Sequence, residues 1–214
     1  MATSYSDRVV PCFAGSRTPK LLLVGEAPGP RGAHRTGFPF WGDDSGLLLY
    51  GLIEELGLMH APLSRWKRGA DLSGTRPPLG DYAITNACPQ MPLAPTGGFC
   101  APEPERLVAE GPRLASELAS FAPQVVLACG KAAAFALAQA SRRLGVEPPG
   151  PLAAKLPAIK LTAAMAELAG ANPWRLAGAR ALVTCHPARG QWSPSTPTGA
   201  LHEKIVAQLR RALA

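Results

Sequence analysis

Three polar side chains stand directly after short apolar runs: Glu26 after "KLLLVG", Asn86 at the end of "DYAITN", and His186 after "ALVTC". A carboxylate just past a buried strand must find partners or serve a purpose, because a buried charge without compensation is costly. The Asn86 amide donates and accepts at once, which is what reading the edge of a planar base requires. Capping a turn is the plainer role for Asn86, and a structural role is the plainer one for a lone histidine at a strand end such as His186. From Gly25 to Gly46 runs "GEAPGPRGAHRTGFPFWGDDSG", which adds Asp43 and Asp44 ahead of a helix and Phe38 and Phe40 in a Pro/Gly loop. Taken alone, Asp43 or Asp44 reads as a helix N-cap or turn residue. Phe38 and Phe40 read as core singly, but on a ligand rim they can stack on a base.

Other chemistries fit poorly. Gly25 and Gly29 form G-x-x-x-G and not G-x-G-x-x-G, and the helix begins about twenty residues later, so the dinucleotide fingerprint is absent. Gly130-Lys131 lacks the upstream glycine and the following Ser or Thr of a phosphate-binding P-loop. Four histidines and five cysteines show no metal-ligand spacing, so no metal is expected. The odd, scattered cysteines (Cys12, Cys88, Cys100, Cys129, Cys185) argue against a disulfide framework and for a reduced, cytoplasmic chain. There is no signal pattern, and no apolar run approaches the roughly 18 residues of a membrane span. A net charge of +7 and a pI of about 9.5 favour a polyanionic partner such as nucleic acid.

The elements that must position these side chains follow from the apolar pattern. A chain of 214 residues supports one core, so residues 1–214 are expected to form a single domain. Strands are predicted over Lys20 to Val24, Asp81 to Asn86, Gln124 to Gly130 and Ala181 to Pro187. Each leads into a helix. The first is capped by Ser45 and carries Leu47, Leu48, Leu49, Leu52, Ile53 and Leu56 until Gly57. The second covers "EPERLVAEGPRLASELASF" with a break at Gly111-Pro112, the third starts at Lys131, and the last at Thr198. Four β-then-α units predict an α/β fold: a three-layer α/β/α sandwich around a central four-stranded parallel sheet. Ligands bind such sheets at the carboxyl ends of the strands, so loops beginning at Gly25, Asn86, Gly130 and His186 share one rim. The Pro/Gly/Ala segment from Gly145 to Gly178 is expected to hold short helices around Lys160 to Leu168 and Trp174.

"GEAPGP" with "GFPFWGDDSGLLL", "ITNACPQMP" with "PEPERL", "QVVLACGKAAAFAL", and "TCHPARG" together resemble the motifs of the uracil-DNA glycosylase superfamily, in order, over roughly Lys20 to Ala214. "GEAPG" is similar to the family 4 branch, whereas "GAHRTG" and "GDDSG" are similar to family 5. The resemblance implies that superfamily's fold and a monofunctional DNA repair glycosylase, a monomer that flips uracil out of single- or double-stranded DNA and leaves an abasic site. Carried over, Phe40 stacks on the flipped base, Asn86 hydrogen-bonds its pyrimidine edge, and His186 holds the O2 side of the departing base. Glu26 or Asp43 positions water and stabilises the sugar cation; Glu26 matches the family 4 carboxylate and Asp43 the family 5 one. Gly25, Ala27, Pro28 and Gly29 line the nucleotide and Arg35 contacts DNA; Arg189, Gln191 and Trp192, after His186, are DNA-contacting candidates to fill the gap left by the flipped nucleotide, with Arg189 also able to bind phosphate and Trp192 either a wedge or packed onto the surface. Both families usually carry four cysteines for an iron-sulfur cluster. Here the corresponding positions hold Gln90 and about Glu110, Cys88 and Cys100 are displaced, and the N-terminus offers only Cys12, so no cluster and no cofactor is expected. The alternatives are a damage binder that retains uracil or abasic DNA with little turnover, a glycosylase for hypoxanthine, xanthine or mismatched thymine, and a domain acting on free nucleosides. Residues 88–102 contain no histidine, which disfavours covalent trapping through that loop.

Overall fold

The computed structural model describes residues 3–63, 66, 69–170 and 174–214. In chain order its elements are β1 (Ser4–Val9), β2 (Phe13–Ala14), β3 (Leu21–Gly25), α1 (Ala33–Thr36), α2 (Asp44–Glu55), β4 (Tyr82–Asn86), β5 (Gln90–Leu93), α3 (Pro104–Ala109), α4 (Gly111–Phe121), β6 (Val125–Cys129), α5 (Lys131–Arg143), α6 (Leu161–Leu168), β7 (Trp174–Leu176), β8 (Ala179–Thr184), α7 (Arg189–Trp192) and α8 (Pro197–Leu213). β3, β4 and β6 are buried at every residue, as apolar runs covered on both faces must be.

The main sheet runs in the order β2-β4-β3-β6-β8-β7. Its four inner strands are parallel, with Leu21 opposite Tyr82 and Val125, and Val125 opposite Arg180. Helices α3, α4 and α5 pack on one another, and α6, α7 and α8 form a second group against β8. Together these give the three-layer α/β/α sandwich and the central four-stranded parallel sheet that the β-then-α repeat predicts. The register places Gly25 directly opposite Asn86, so the first two rim loops leave the sheet side by side.

The structure adds to the expected elements and corrects some of them. Two short antiparallel strands, β2 on β4 and β7 on β8, extend the sheet at its edges. β7 lies where a short helix around Trp174 was expected: Trp174 and Leu176 are buried and Arg175 between them is exposed, a period of two. β5 lies within the expected Pro/Gly loop, because residues 90–93 pair with the N-terminal β1 in a separate two-stranded sheet. The second predicted helix is divided into α3 and α4 at Glu110, just before Gly111-Pro112. Asp43, not Ser45, caps α2, its carboxylate accepting from the Gly46 N–H at 2.8 Å. Among the described residues no helix is long and apolar enough to cross a membrane.

Candidate active site

The loop between β3 and α2 is tied down along its length. Thr36 Oγ1 donates to the Trp41 carbonyl at 2.8 Å, and the buried Tyr50 hydroxyl donates to the Pro39 carbonyl at 3.0 Å. Trp41, Tyr50 and Trp66 pack with ring centroids 4.6–5.5 Å apart beneath it. Phe40 sits between these tethers at φ +57°, a left-handed conformation that costs a non-glycine residue about 1–3 kcal/mol. Its carbonyl lies so close to Gly46 that a Cβ there would approach to 1.5 Å, so a glycine in the first turn of α2 is what admits this turn of the chain.

The strained turn directs the Phe40 ring into a cleft of about 1010 Å³ at the carboxyl ends of the strands. Glu26, Ala27, Gly29, Phe40, Asp43, Asn86 and His186 all line it. A Cβ on Gly25 would stand 2.3 Å from the Phe40 ring and 2.7 Å from Asn86 Oδ1, so ring and amide meet over this glycine. The Phe40 and His186 rings are 6.4 Å apart, and Ser45 Oγ lies 3.3 Å from His186 Nε2. Asn86 is buried at 2% exposure, and its Nδ2 has no hydrogen-bond partner among the described residues. A buried amide left unpaired forfeits about 1–3 kcal/mol, which a ligand acceptor entering the cleft would restore.

Burial dominates the electrostatics. It pushes the Glu26 carboxyl above the ordinary carboxylate range. It also raises Asp43, against the opposing pull of the Gly46 and Ser45 N–H groups and nearby His186. Burial holds His186 below the ordinary imidazole value, with Asp43 pulling the other way. Burial thus favours the neutral form of all three groups, and a neutral imidazole can donate to an acceptor without carrying a full charge.

The remaining predicted site residues lie at other depths or places. Gly25 and Pro28 are buried behind the lining residues, and Arg35 lines the outer cleft, paired with the exposed Asp71 at 3.6 Å. Arg189 and Gln191 are exposed on α7, outside the cleft lining. Trp192 also lies outside it: its indole stacks on His202 with centroids 4.0 Å apart and donates to the Cys185 carbonyl at 3.3 Å. Arg31, Trp66, Asp71 and Phe99 line the cleft without having been singled out by the sequence, as does Ser45, which the sequence marked only as a helix cap.

Behind Asn86 stands a further group that no motif indicated. Arg113 donates to the Asn86 carbonyl at 2.6 Å, the Ala87 carbonyl at 3.2 Å and Thr85 Oγ1 at 3.1 Å, while pairing with Glu110 and Glu117 at 2.6 Å each. Arg106 joins Glu110 and Gln90 to the same network at 2.8 Å each. Gln90 and Glu110, where the resembled families place cysteines, are thus engaged by two guanidinium groups. Among the described residues no three His, Cys, Asp or Glu side chains are gathered to hold a metal ion. The residues at these positions do not fit an iron-sulfur cluster.

A model of the Uracil DNA glycosylase superfamily matches residues 13–210. The chain is 39% identical over 129 residues to a type-5 uracil-DNA glycosylase of Mycobacterium leprae, across 58% of this chain and 54% of that protein. It is 50% identical over 60 residues to a type-5 uracil-DNA glycosylase of Thermus thermophilus, across 28% and 27%. The chain spans about half or less of the length of these curated relatives.

Proposed function

As the chain belongs to the uracil DNA glycosylase superfamily, by a match that runs over residues 13–210, we propose that it removes uracil from DNA by hydrolysing the N-glycosidic bond. The observation that carries this reading is the buried, unpartnered Asn86 amide beside the strained Phe40 ring, inside a cleft that also holds a neutral imidazole and two carboxylates. A flipped base stacks on Phe40 and satisfies Asn86 with its polar edge. Bond cleavage builds positive charge on the deoxyribose and negative charge on the base. His186, kept neutral by burial, donates toward O2 of the leaving base. Glu26, whose proton affinity burial raises, suits a base that orients water and takes its proton. Asp43, fixed by capping α2 and coupled to His186, supplies charge on the sugar side. A water nucleophile makes the enzyme monofunctional, leaving an abasic strand that alkali then breaks.

The test is incubation with a uracil-containing oligonucleotide followed by alkali; a strand that stays intact at high protein concentration would refute the proposal. Alanine at Asn86 or His186 is expected to cost about 10²–10³ in kcat, the effect of losing one preorganised donor. The breadth of the cleft, about 1010 Å³, favours one second reading, in which purines such as hypoxanthine and xanthine are also accepted. A panel of single-lesion oligonucleotides separates the two.

A further inference from the structure

Extruding a nucleotide from a duplex costs a few kcal/mol of stacking and pairing, and enzymes offset it with a side chain that enters the gap. Trp192, the large apolar side chain after His186, is held against His202. Four described large hydrophobic residues are markedly exposed, namely Val9, Leu79, Phe99 and Val108, and of these only Phe99, at 47%, lines the cleft.

Its backbone is built to present it. The Ala94 N–H donates to the Gly98 carbonyl at 2.7 Å and the Gly97 N–H to the Ala94 carbonyl at 2.8 Å, with Gly97 at φ +85°, so residues 94–98 close a tight turn. Phe99 then bridges back to Leu93 of β5, and β5 is anchored by pairing with β1. The side chain thus stands half in water on an anchored hairpin, at the mouth of the cleft whose floor holds Asn86. The Arg31 and Arg35 side chains line the same cleft and give the phosphates on either side a cationic contact.

Resting on the glycosylase reading above, we infer that Phe99 is the wedge: its ring enters the base stack vacated by the target nucleotide, which makes the duplex the substrate this site is shaped for. An aromatic ring stacks on flanking bases of any sequence, so the device adds no sequence preference. A single strand has little stack to replace and gains little from it.

The full chain is compared with Phe99→Ala and Phe99→Trp in two assays: uracil excision from matched single- and double-stranded oligonucleotides, and fluorescence-anisotropy binding of the same two forms carrying a tetrahydrofuran abasic analogue. Phe99→Ala is expected to lower both duplex kcat/KM and duplex affinity by about tenfold or more, with single-strand values within about twofold and Phe99→Trp close to the native chain. Equal losses on both forms, or no loss on the duplex, overturn the inference. Absence of excision by the native chain refutes the glycosylase reading, while the binding arm still reads the wedge. A chain that binds neither form overturns both.

Discussion

Gly25 has no room for a side chain, and what it would strike are two groups of the site. A methyl there would stand 2.3 Å from the Phe40 ring and 2.7 Å from Asn86 Oδ1. Gly25→Ala is therefore expected to cost about 1–3 kcal/mol in denaturant unfolding through overpacking, and to reduce uracil excision in proportion to the displacement of ring and amide. An unchanged kcat/KM would show that neither group contacts the base. Glu26 is predicted to oppose stability and activity. Its folded proton affinity is raised by burial, so the stability it contributes is present below the ordinary glutamate value and is lost as pH rises through the folded value. At neutral pH the ionised group burdens the fold. Glu26→Gln should raise Tm at pH 7 and leave it nearly unchanged at pH 4, while lowering kcat. On the proposed mechanism the acid limb of native kcat/KM should lie above the ordinary glutamate range, and Glu26→Gln should remove the part set by Glu26 and leave only the limb set by Asp43, which burial also raises.

At the scale of elements, the carboxyl end of β4 is held from two sides. The N–H groups of Ala87 and Cys88 donate to the Gly25 and Glu26 carbonyls at 2.8 and 2.9 Å, and Arg113 of α4 takes the Asn86 and Ala87 carbonyls. Arg113→Met leaves both carbonyls and two glutamates short of a partner, and should lower stability by about 1–3 kcal/mol. Beyond that loss, kcat should fall with KM little changed. In an Asn86→Ala background the same substitution should leave kcat where it was, since the role acts through that amide. Additive losses would make Arg113 purely structural. Much of this element level was readable in the residues. Runs such as "LLLV" and "VVLAC", short, apolar and followed by glycine, read as covered strands, and polar residues at the ends of parallel strands then share a rim. β2, β5 and β7 were not readable, because two to four residues carry no usable period and only the partner strand defines them. Arg113 escaped notice because it binds backbone carbonyls, which no side-chain motif specifies. Trp192 stood between two roles until its stacking on His202 was visible, and Phe99 emerged only through its exposure on the cleft wall.

For the molecule as a whole, charge and cleft pull in opposite directions. The chain carries +7, yet Glu26, Asp43, Asp44 and Asp71 all line the cleft. On the proposed function, a DNA backbone drawn to the protein is held by cations at the rim while only the extruded nucleotide enters the acidic interior. Arg31, Arg35 and Arg189 are exposed, the first two on the cleft wall and the third on α7 just beyond His186, and are the proposed holders. Affinity for a duplex carrying the tetrahydrofuran analogue should fall linearly on a log–log plot against salt, because each phosphate that the protein neutralises releases bound counterions. Replacing Arg31, Arg35 or Arg189 by glutamine should reduce the magnitude of that slope by about 0.9 for each phosphate no longer neutralised on duplex DNA and about 0.7 on a single strand. The arginine variants should raise KM and leave kcat at saturating DNA nearly unchanged, as expected of groups that hold the backbone and not the reacting nucleotide. An unaltered slope in all three variants would move the backbone to another face of the protein. It would also separate the cleft from the surface that binds DNA, an arrangement in which a base could not be extruded into it.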